Sequence, residues 1–280
     1  MKPRLLVFVP MYNCARQISR VIGQISGPLL THVEEVVVID NGSCDRSTAA
    51  AAHALAQLPI PARILRNDDN YNLGGSHKVA FDLAIAEGFD HVVVLHGDDQ
   101  AQLADLLPEL DAGRHLELDC LLGSRFSRGS RREGYSRLRT VGNMVFNTLF
   151  SVVTGRWIAD LGSGLNLFSV AWLRDRFYAG LADDLTFNNH LLLAMVARRA
   201  RIAYFPISWR ESDQVSNVRL LRQALRTMGI LLGYAVLRQR YLARHHAERS
   251  INGYTSTTIF CHDPVRLVAR ASRARLMSCA

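Results

Sequence analysis

The sequence predicts an α/β fold, a mainly parallel sheet flanked by helices, with a helical extension at the C-terminal end. Three observations predict it. Apolar runs of strand length alternate with segments of helical composition through the first half of the chain, the pattern of strand–helix–strand units. The 280 residues are 49% apolar, enough for a sizeable core. Each run also ends in a polar cluster, where sheets of this kind gather their ligands.

Taken in order, strands are predicted at Leu5 to Pro10, Glu35 to Asp40, Ala62 to Arg66, His91 to His96 and Leu118 to Gly123. Helices are predicted between them at Ala15 to Ser26, Arg46 to Gln57, Gly75 to Glu87 and Ala101 to Leu110, with Ser43 or Asp45 able to cap the second. The glycine- and arginine-rich stretch from Gly123 to Gly134 is expected to be a mobile loop. Beyond it the pattern predicts helices at Arg137 to Val153, Phe187 to Arg199 and Asn217 to Tyr241, and a late strand at Ile202 to Ser208. From Ile251 onward the periodicity is weak, and a frayed basic tail is expected.

Five cysteines, scattered and unevenly spaced, form neither a disulfide framework nor paired metal ligands, so a reducing, cytoplasmic setting is expected. The first strand begins almost at once, without the pattern of a secretory signal. Charge is uneven: residues 1–190 hold 18 Lys+Arg against 21 Asp+Glu, and residues 191–280 hold 15 against 4. Such a basic segment suits phosphates or an anionic membrane face, or is a solvated helix surface. Little aromatic interleaving and no reading motif argue against nucleic acid. Arg219, Arg222 and Arg226 set against Leu220, Leu221, Leu225 and Met228 fit a helix lying at a bilayer, or one packed on the core.

The polar cluster with most chemistry is His96-Gly97-Asp98-Asp99-Gln100. By the two-residue strand period, His96, Asp98 and Gln100 share one side, a nitrogen and oxygen donor set suited to a divalent cation shared with a diphosphate. The alternative is an acidic turn in which Asp99 serves the next helix. Asp40, at the end of the second strand, is placed to accept a hydrogen bond from a nucleobase, or is a turn residue. Gly74 and Gly75 fall at a helix start that favours an anion or ribose hydroxyls. The phosphate-loop spacing of NTPases and a complete G-x-G-x-x-G are both missing, which removes support from kinase and dehydrogenase readings.

Together, Pro10-Met11-Tyr12-Asn13, Asp40-Asn41-Gly42-Ser43-Cys44-Asp45, Asn72-Leu73-Gly74 and His96-Gly97-Asp98-Asp99-Gln100 resemble the ordered signatures of family-2 glycosyltransferases, with a GT-A fold. Gly123-Ser124-Arg125-Phe126, Asp160-Leu161-Gly162-Ser163-Gly164 and Pro206-Ile207-Ser208-Trp209-Arg210 resemble the branch of dolichyl- and polyprenyl-phosphate glycosyltransferases. The resemblance runs from about Leu5 to about Arg226. It implies a GT-A unit over residues 1–215, binding nucleotide-sugar in about 1–125 and acceptor in about 126–215; beyond it the residue pattern predicts a basic amphipathic helix over 216–250 and the basic tail 251–280.

It also implies a nucleotide site from Pro10, Tyr12, Asn13, Asp40, Asn41, Asn72, Gly74, Lys78 and Asp98. Mg2+ or Mn2+ is expected on Asp98 and Gln100, with His96 beside them. Asp99, Arg125, Asp160, Asp184 and Arg210 are the expected catalytic group, with Asp160, Asp183 and Asp184 as candidate bases and the arginines near phosphates. Two positions depart from the family pattern: Asn41 stands where a second acid is frequent, and His96 where the mannosyltransferases have an acid. The expected partners are a nucleotide-sugar donor and a lipid-phosphate or glycan acceptor, with peripheral contact at the inner membrane face. A nucleotide-sugar-binding protein without turnover is the alternative.

Overall fold

In a computed structural model, which describes residues 2–211 and 220–264, the chain folds around one eight-stranded sheet. The first half runs β1 (Leu5–Met11), α1 (Ile18–Gly23), β2 (Glu35–Asp40), α2 (Ser47–Leu55), β3 (Ala62–Asn67), α3 (Asn72–Ala86), β4 (His91–Leu95), α4 (Leu107–Asp111) and β5 (Cys120–Ser124). The second half adds β6 (Arg131–Glu133), α5 (Arg137–Thr154), β7 (Leu165–Ser169), α6 (Val170–Leu173), α7 (Phe187–Ala197), β8 (Ile202–Pro206), β9 (Ser208–Arg210), α8 (Leu220–Ala243) and β10 (Ser256–His262). The strand order is β10-β3-β2-β1-β4-β7-β5-β8.

Strands β1 to β4 pair in parallel, as do β5 and β8, while β7 lies antiparallel between β4 and β5. The carboxyl ends of β1 to β5 therefore share one edge. The chain steps from β1 outward to β3 and then returns to place β4 on the other side of β1. That reversal opens a crevice between the exits of β1 and β4.

Strand alternation builds the core on both faces. Leu6, Phe8, Val37, Ile39, Val92 and Val94 pack with residues of α3 and α7, while Leu5, Val7, Val9, Val36, Val38 and Val93 pack with those of α1 and α2. Strands buried on both faces read as continuous apolar runs, which is why these five were visible in sequence. No helix among the described residues is long and apolar enough to cross a membrane.

Three expectations change. The arginine-rich loop is tethered, because Arg131–Glu133 pairs in parallel with Ser208–Arg210 as a separate two-stranded sheet. The tail is ordered over Ser256–His262, which adds antiparallel to the edge strand β3 and covers its unpaired backbone groups. Third, β7 is an added central strand. The start of the predicted helix at Asn217, together with Arg219 and residues 265–280 of the tail, lies outside the described residues.

The C-terminal segment is locked down through Lys78. Its ammonium, fully buried in α3, donates to Asp183 Oδ1 at 2.6 Å, to the Leu181 carbonyl at 2.6 Å and to the Tyr254 hydroxyl at 3.0 Å. The Tyr254 hydroxyl and the Glu248 N–H also donate to Asp183, at 2.6 and 2.8 Å. Burial lowers the Lys78 pKa, with Asp183 opposing the shift. Lys78, expected at the nucleotide, is thus a structural cation joining α3, the 181–183 loop and the C-terminal strap. Removing one partner of a buried pair leaves an uncompensated charge. Asp183→Ala is expected to lower stability by about 3–5 kcal/mol, read as a shift of the urea unfolding midpoint at unchanged slope.

Candidate active site

The crevice is assembled by backbone contacts between strand exits. The Gly97 N–H donates to the Pro10 carbonyl at 3.2 Å, joining the exits of β4 and β1. A Cβ at Gly97 would stand 2.8 Å from that carbonyl oxygen, so only glycine lets the two strands approach this closely. On the other side, the His96 N–H donates to the Gly164 carbonyl at 2.8 Å and the Arg210 N–H to the Gln100 carbonyl at 2.8 Å. The exits of β1 and β2 are stitched by Asn41 N–H to Met11 O at 2.9 Å, Asn13 N–H to Ser43 Oγ at 3.1 Å and Cys44 N–H to Asn13 Oδ1 at 2.9 Å. These contacts bring together Pro10, Tyr12, Asn13, Asp40, Asn41 and His96 to Gln100.

Asp99 sets how the β4 exit faces. It is buried, with φ of 58° in the left-handed region. Its Oδ2 accepts from Arg20 Nε at 2.7 Å and Arg210 Nη2 at 2.8 Å, and its Oδ1 from Gln24 Nε2 at 3.1 Å. Gly97, Asp99 and Ala101 are buried while His96, Asp98 and Gln100 keep partial access. Asp99, expected among the catalytic groups, therefore has its carboxylate committed to α1 and β9, and neither is it the helix cap of the alternative reading. It positions Arg210, whose side chain remains 42% exposed.

Asp98, next in the turn, keeps partial access on the side away from Asp99. Burial raises its pKa to about 6, against which the Gln100 N–H works as a donor at 3.3 Å. His96 is neutral, its pKa lowered to about 4 by burial and by the charge of Arg125. Its ring packs edge-on to His77 of α3 at 6.0 Å, and its buried Nε2 has no hydrogen-bond partner among the described residues. No cluster of three His, Cys, Asp or Glu side chains that could hold a metal occurs among the described residues. A cation here would rest on the Asp98 carboxylate and the Gln100 amide and be completed by diphosphate oxygens, a donor set that suits Mg2+ or Mn2+. The orphaned His96 nitrogen is compatible with that set.

The other expected residues divide between the rim and the framework. Tyr12 is half-exposed at the β1 exit, and Asn13 and Asn72 are exposed in left-handed backbone at φ of 49° and 57°. Asp40 is fully buried: Oδ1 accepts from the Ser43 N–H at 2.8 Å, and Oδ2 from Thr48 Oγ1 at 2.8 Å and Arg66 Nη2 at 2.9 Å. Asn41 accepts from Asn67 Nδ2 at 2.9 Å and the Tyr71 N–H at 2.8 Å, and donates to Asn70 at 2.7 Å. An amide that both donates and accepts makes this hub where a second acid could not. Gly74 does not offer its N–H to an anion, since it donates to Asp183 O at 2.6 Å.

The expected bases are all paired. Asp160 binds Arg125 through Nε at 2.8 Å and Nη2 at 2.7 Å, both side chains nearly inaccessible. The guanidinium is boxed by the rings of Phe126, Tyr135 and Trp209. This bidentate pair holds the β5 exit to the 160–164 turn and is not presented to a phosphate. Asp184 accepts from the Thr186 N–H and hydroxyl, and from Arg226 of α8 at 2.9 Å. Sequence reasoning missed Arg20 and Arg66. The second of two arginines in the strand Ala62–Asn67, placed at its crevice end, is a signal for Arg66; Arg20 carries none, being one more charge on a surface helix.

The fold is that of the GT-A glycosyltransferases: a mixed sheet flanked by helices, with an acidic turn at the central strand exit. The chain belongs to glycosyl transferase family 2, whose family model matches residues 6–177. A curated relative, the polyprenol monophosphomannose synthase of Mycolicibacterium smegmatis, is 25% identical over 170 residues, 59% of this chain and 61% of that one. The chain thus spans about three-fifths of that relative's length. Among solved structures, glucosyl-3-phosphoglycerate synthase from Mycobacterium tuberculosis with UDP is 16% identical and superposes with a TM-score of 0.59, over 95% of this chain and 92% of that one. The same enzyme with Mn2+, UDP-glucose and phosphoglyceric acid gives 0.60 at 16% identity, over 95% and 91%. At these identities the likeness is one of fold.

The raised pKa of Asp98 carries a stability consequence. The folded chain disfavours the ionised carboxylate, so stability falls as pH rises from about 4 to about 6, and the deficit persists above. Asp98→Asn is expected to stabilise the protein at pH 8 by about 1–2 kcal/mol, discounted for the partial exposure of the site. Urea unfolding at pH 8 and pH 4 checks this, with the gain expected to vanish at pH 4.

Proposed function

We propose that this protein is an inverting, metal-assisted glycosyltransferase that moves a sugar from a UDP- or GDP-sugar to a polyprenyl phosphate or glycan. The observation that carries the reading is Asp98, a partly open carboxylate beside the β1–β4 switch point in a chain of this family. The solved fold relatives bind UDP, UDP-glucose and Mn2+, and the curated relative is a polyprenol monophosphomannose synthase.

In this reading the half-exposed Tyr12 ring offers the nucleobase an aromatic face, with Pro10 and Asn13 beside it and Asp40 and Asn41 as the framework beneath. Asp98 and Gln100 would hold Mg2+ or Mn2+, which when bound would supply positive charge against the departing diphosphate. Arg210, fixed by Asp99 yet half-open to solvent, places a permanent positive charge at the same corner. The acceptor oxygen forms a bond to the anomeric carbon as the bond to the diphosphate oxygen breaks, and the diphosphate leaves with the electron pair.

Where the acceptor is a sugar hydroxyl, its proton needs a base within hydrogen-bond reach. Asp99, Asp160, Asp183 and Asp184 are each held in an ion pair. A phosphate acceptor arrives already ionised and has no proton to lose, so the pairing of these acids favours a lipid phosphate over a glycan. The basic helix α8 would then lie at the inner face of the membrane.

Asp98→Ala is expected to retain the fold and lose at least about a hundredfold in transfer rate, on the scale of removing one electrostatic stabiliser of a developing charge. Radiolabelled sugar transfer to polyprenyl phosphate, with Mn2+ added or chelated, measures it. Full activity of the variant would contradict the metal assignment, and binding of UDP-sugars with no turnover on any acceptor would identify a nucleotide-sugar-binding protein instead.

A further inference from the structure

Helix α5 has two apolar faces. Phe150 and Thr154 turn inward with Asn147. On the opposite side Leu138, Val141, Met144, Val145 and Val152 are exposed, Leu138 and Val152 by about three-quarters. At 100° per residue these outward positions fall on one stripe, and Trp157, 80% exposed, extends it past the helix end. Helix α8 carries a second such stripe, with Leu225, Leu232 and Val236 exposed opposite buried Ile230 and Tyr234. Neither helix contains an Asp or Glu, in a chain that has 25 of them.

At the flank of the α5 stripe lies a cavity of about 330 Å3 lined by Phe126, Arg128, Met144, Asn147, Trp157 and Ile158, among others. Its walls are the segments that directly follow Arg125 and directly precede Asp160, so the buried Arg125–Asp160 pair ties the cavity to the β5 exit and to the crevice. Asn147 is buried, its Nδ2 committed to the Ala159 carbonyl at 2.9 Å, and its Oδ1 has no donor among the described residues. The lining is mixed: Phe126, Met144, Trp157, Ile158 and Ala159 present carbon, the Thr148 and Ser151 hydroxyls donate to the Met144 and Asn147 carbonyls of α5 at 2.9 and 2.7 Å, and Ser127, Arg128 and the unsatisfied Asn147 oxygen supply the remaining polar groups.

We infer that this cavity is the acceptor subsite for an amphiphilic phosphate, seating the first part of an isoprenoid tail that reaches it from an anionic bilayer along the outer stripe of α5. The inference rests on the glycosyltransferase reading and narrows its acceptor. A glycan would want a wall of available hydrogen-bonding groups, whereas two of the three hydroxyls here donate to carbonyls of α5 and Phe126, Met144, Trp157 and Ile158 present carbon. Arg128 suits the headgroup, and two acid-free helices with apolar stripes suit an anionic membrane face.

The test is equilibrium binding of farnesyl phosphate and of inorganic phosphate to the full chain, with UDP–Mn2+ affinity measured in parallel. Trp157 and Met144 are accessible, so Trp157→Ala and Met144→Gln leave the core intact. Farnesyl phosphate is expected to bind far more tightly than inorganic phosphate and to lose about tenfold in either variant, with UDP–Mn2+ affinity unchanged. Equal binding of the two phosphates, or farnesyl phosphate affinity untouched by both variants, would overturn the subsite while leaving the nucleotide crevice standing. Loss of a wild-type dimer in sedimentation by Trp157→Ala, with farnesyl phosphate binding unaltered, would overturn it in favour of a second copy of the chain. Absence of binding of both UDP–Mn2+ and GDP–Mn2+ in the wild type would instead remove the glycosyltransferase reading beneath it.

Discussion

Everything at the crevice depends on one buried carboxylate finding its partners. Asp99 sits in left-handed backbone at the exit of β4, and a buried charge is tolerated only when it is paired and hydrogen-bonded. Arg20 from α1 and Arg210 from β9 satisfy it from two distant parts of the chain. Turning Asp99 inward turns Asp98 and Gln100 outward. The same pair of contacts that stabilises the turn therefore aims the candidate cation ligands and holds Arg210 beside them.

The same economy of charge recurs around the rim. Arg125 with Asp160 fixes the β5 exit to the 160–164 turn, and Lys78 with Asp183 fixes α3 to the C-terminal strap. In each case a carboxylate near the crevice serves architecture. A buried pair is weak evidence for stability, but it is sensitive to the loss of either member. The geometric consequence is that both carboxylates point into the framework, with their oxygens occupied by donors from distant parts of the chain.

The central strands were legible because burial on both faces writes itself as unbroken Val, Ile and Leu runs, and Glu35–Asp40 reads with the same limits in sequence and structure. Leu165–Ser169 escaped notice because its five residues follow a polar turn and its position comes from pairing with β4 and β5, which local pattern does not encode. Ser256–His262 is a half-exposed edge strand without alternation, though Thr257, Thr258, Ile259 and Phe260 have strand-forming character. At the site, sequence identified the polar residues at strand exits and could not supply their partners. Arg20 and Arg210 lie 79 and 111 positions from Asp99, and Lys78 lies 105 from Asp183. Which acid meets which distant cation is a property of the fold alone.

The most direct measurement is a crystal structure with UDP and Mn2+, using anomalous scattering to locate the metal. The account predicts an anomalous peak at bonding distance from Asp98 and a diphosphate oxygen, with Asp99 still on Arg20 and Arg210. A nucleotide seated away from the β1 and β4 exits, or a metal bound with Asp98 outside its coordination shell, would contradict it.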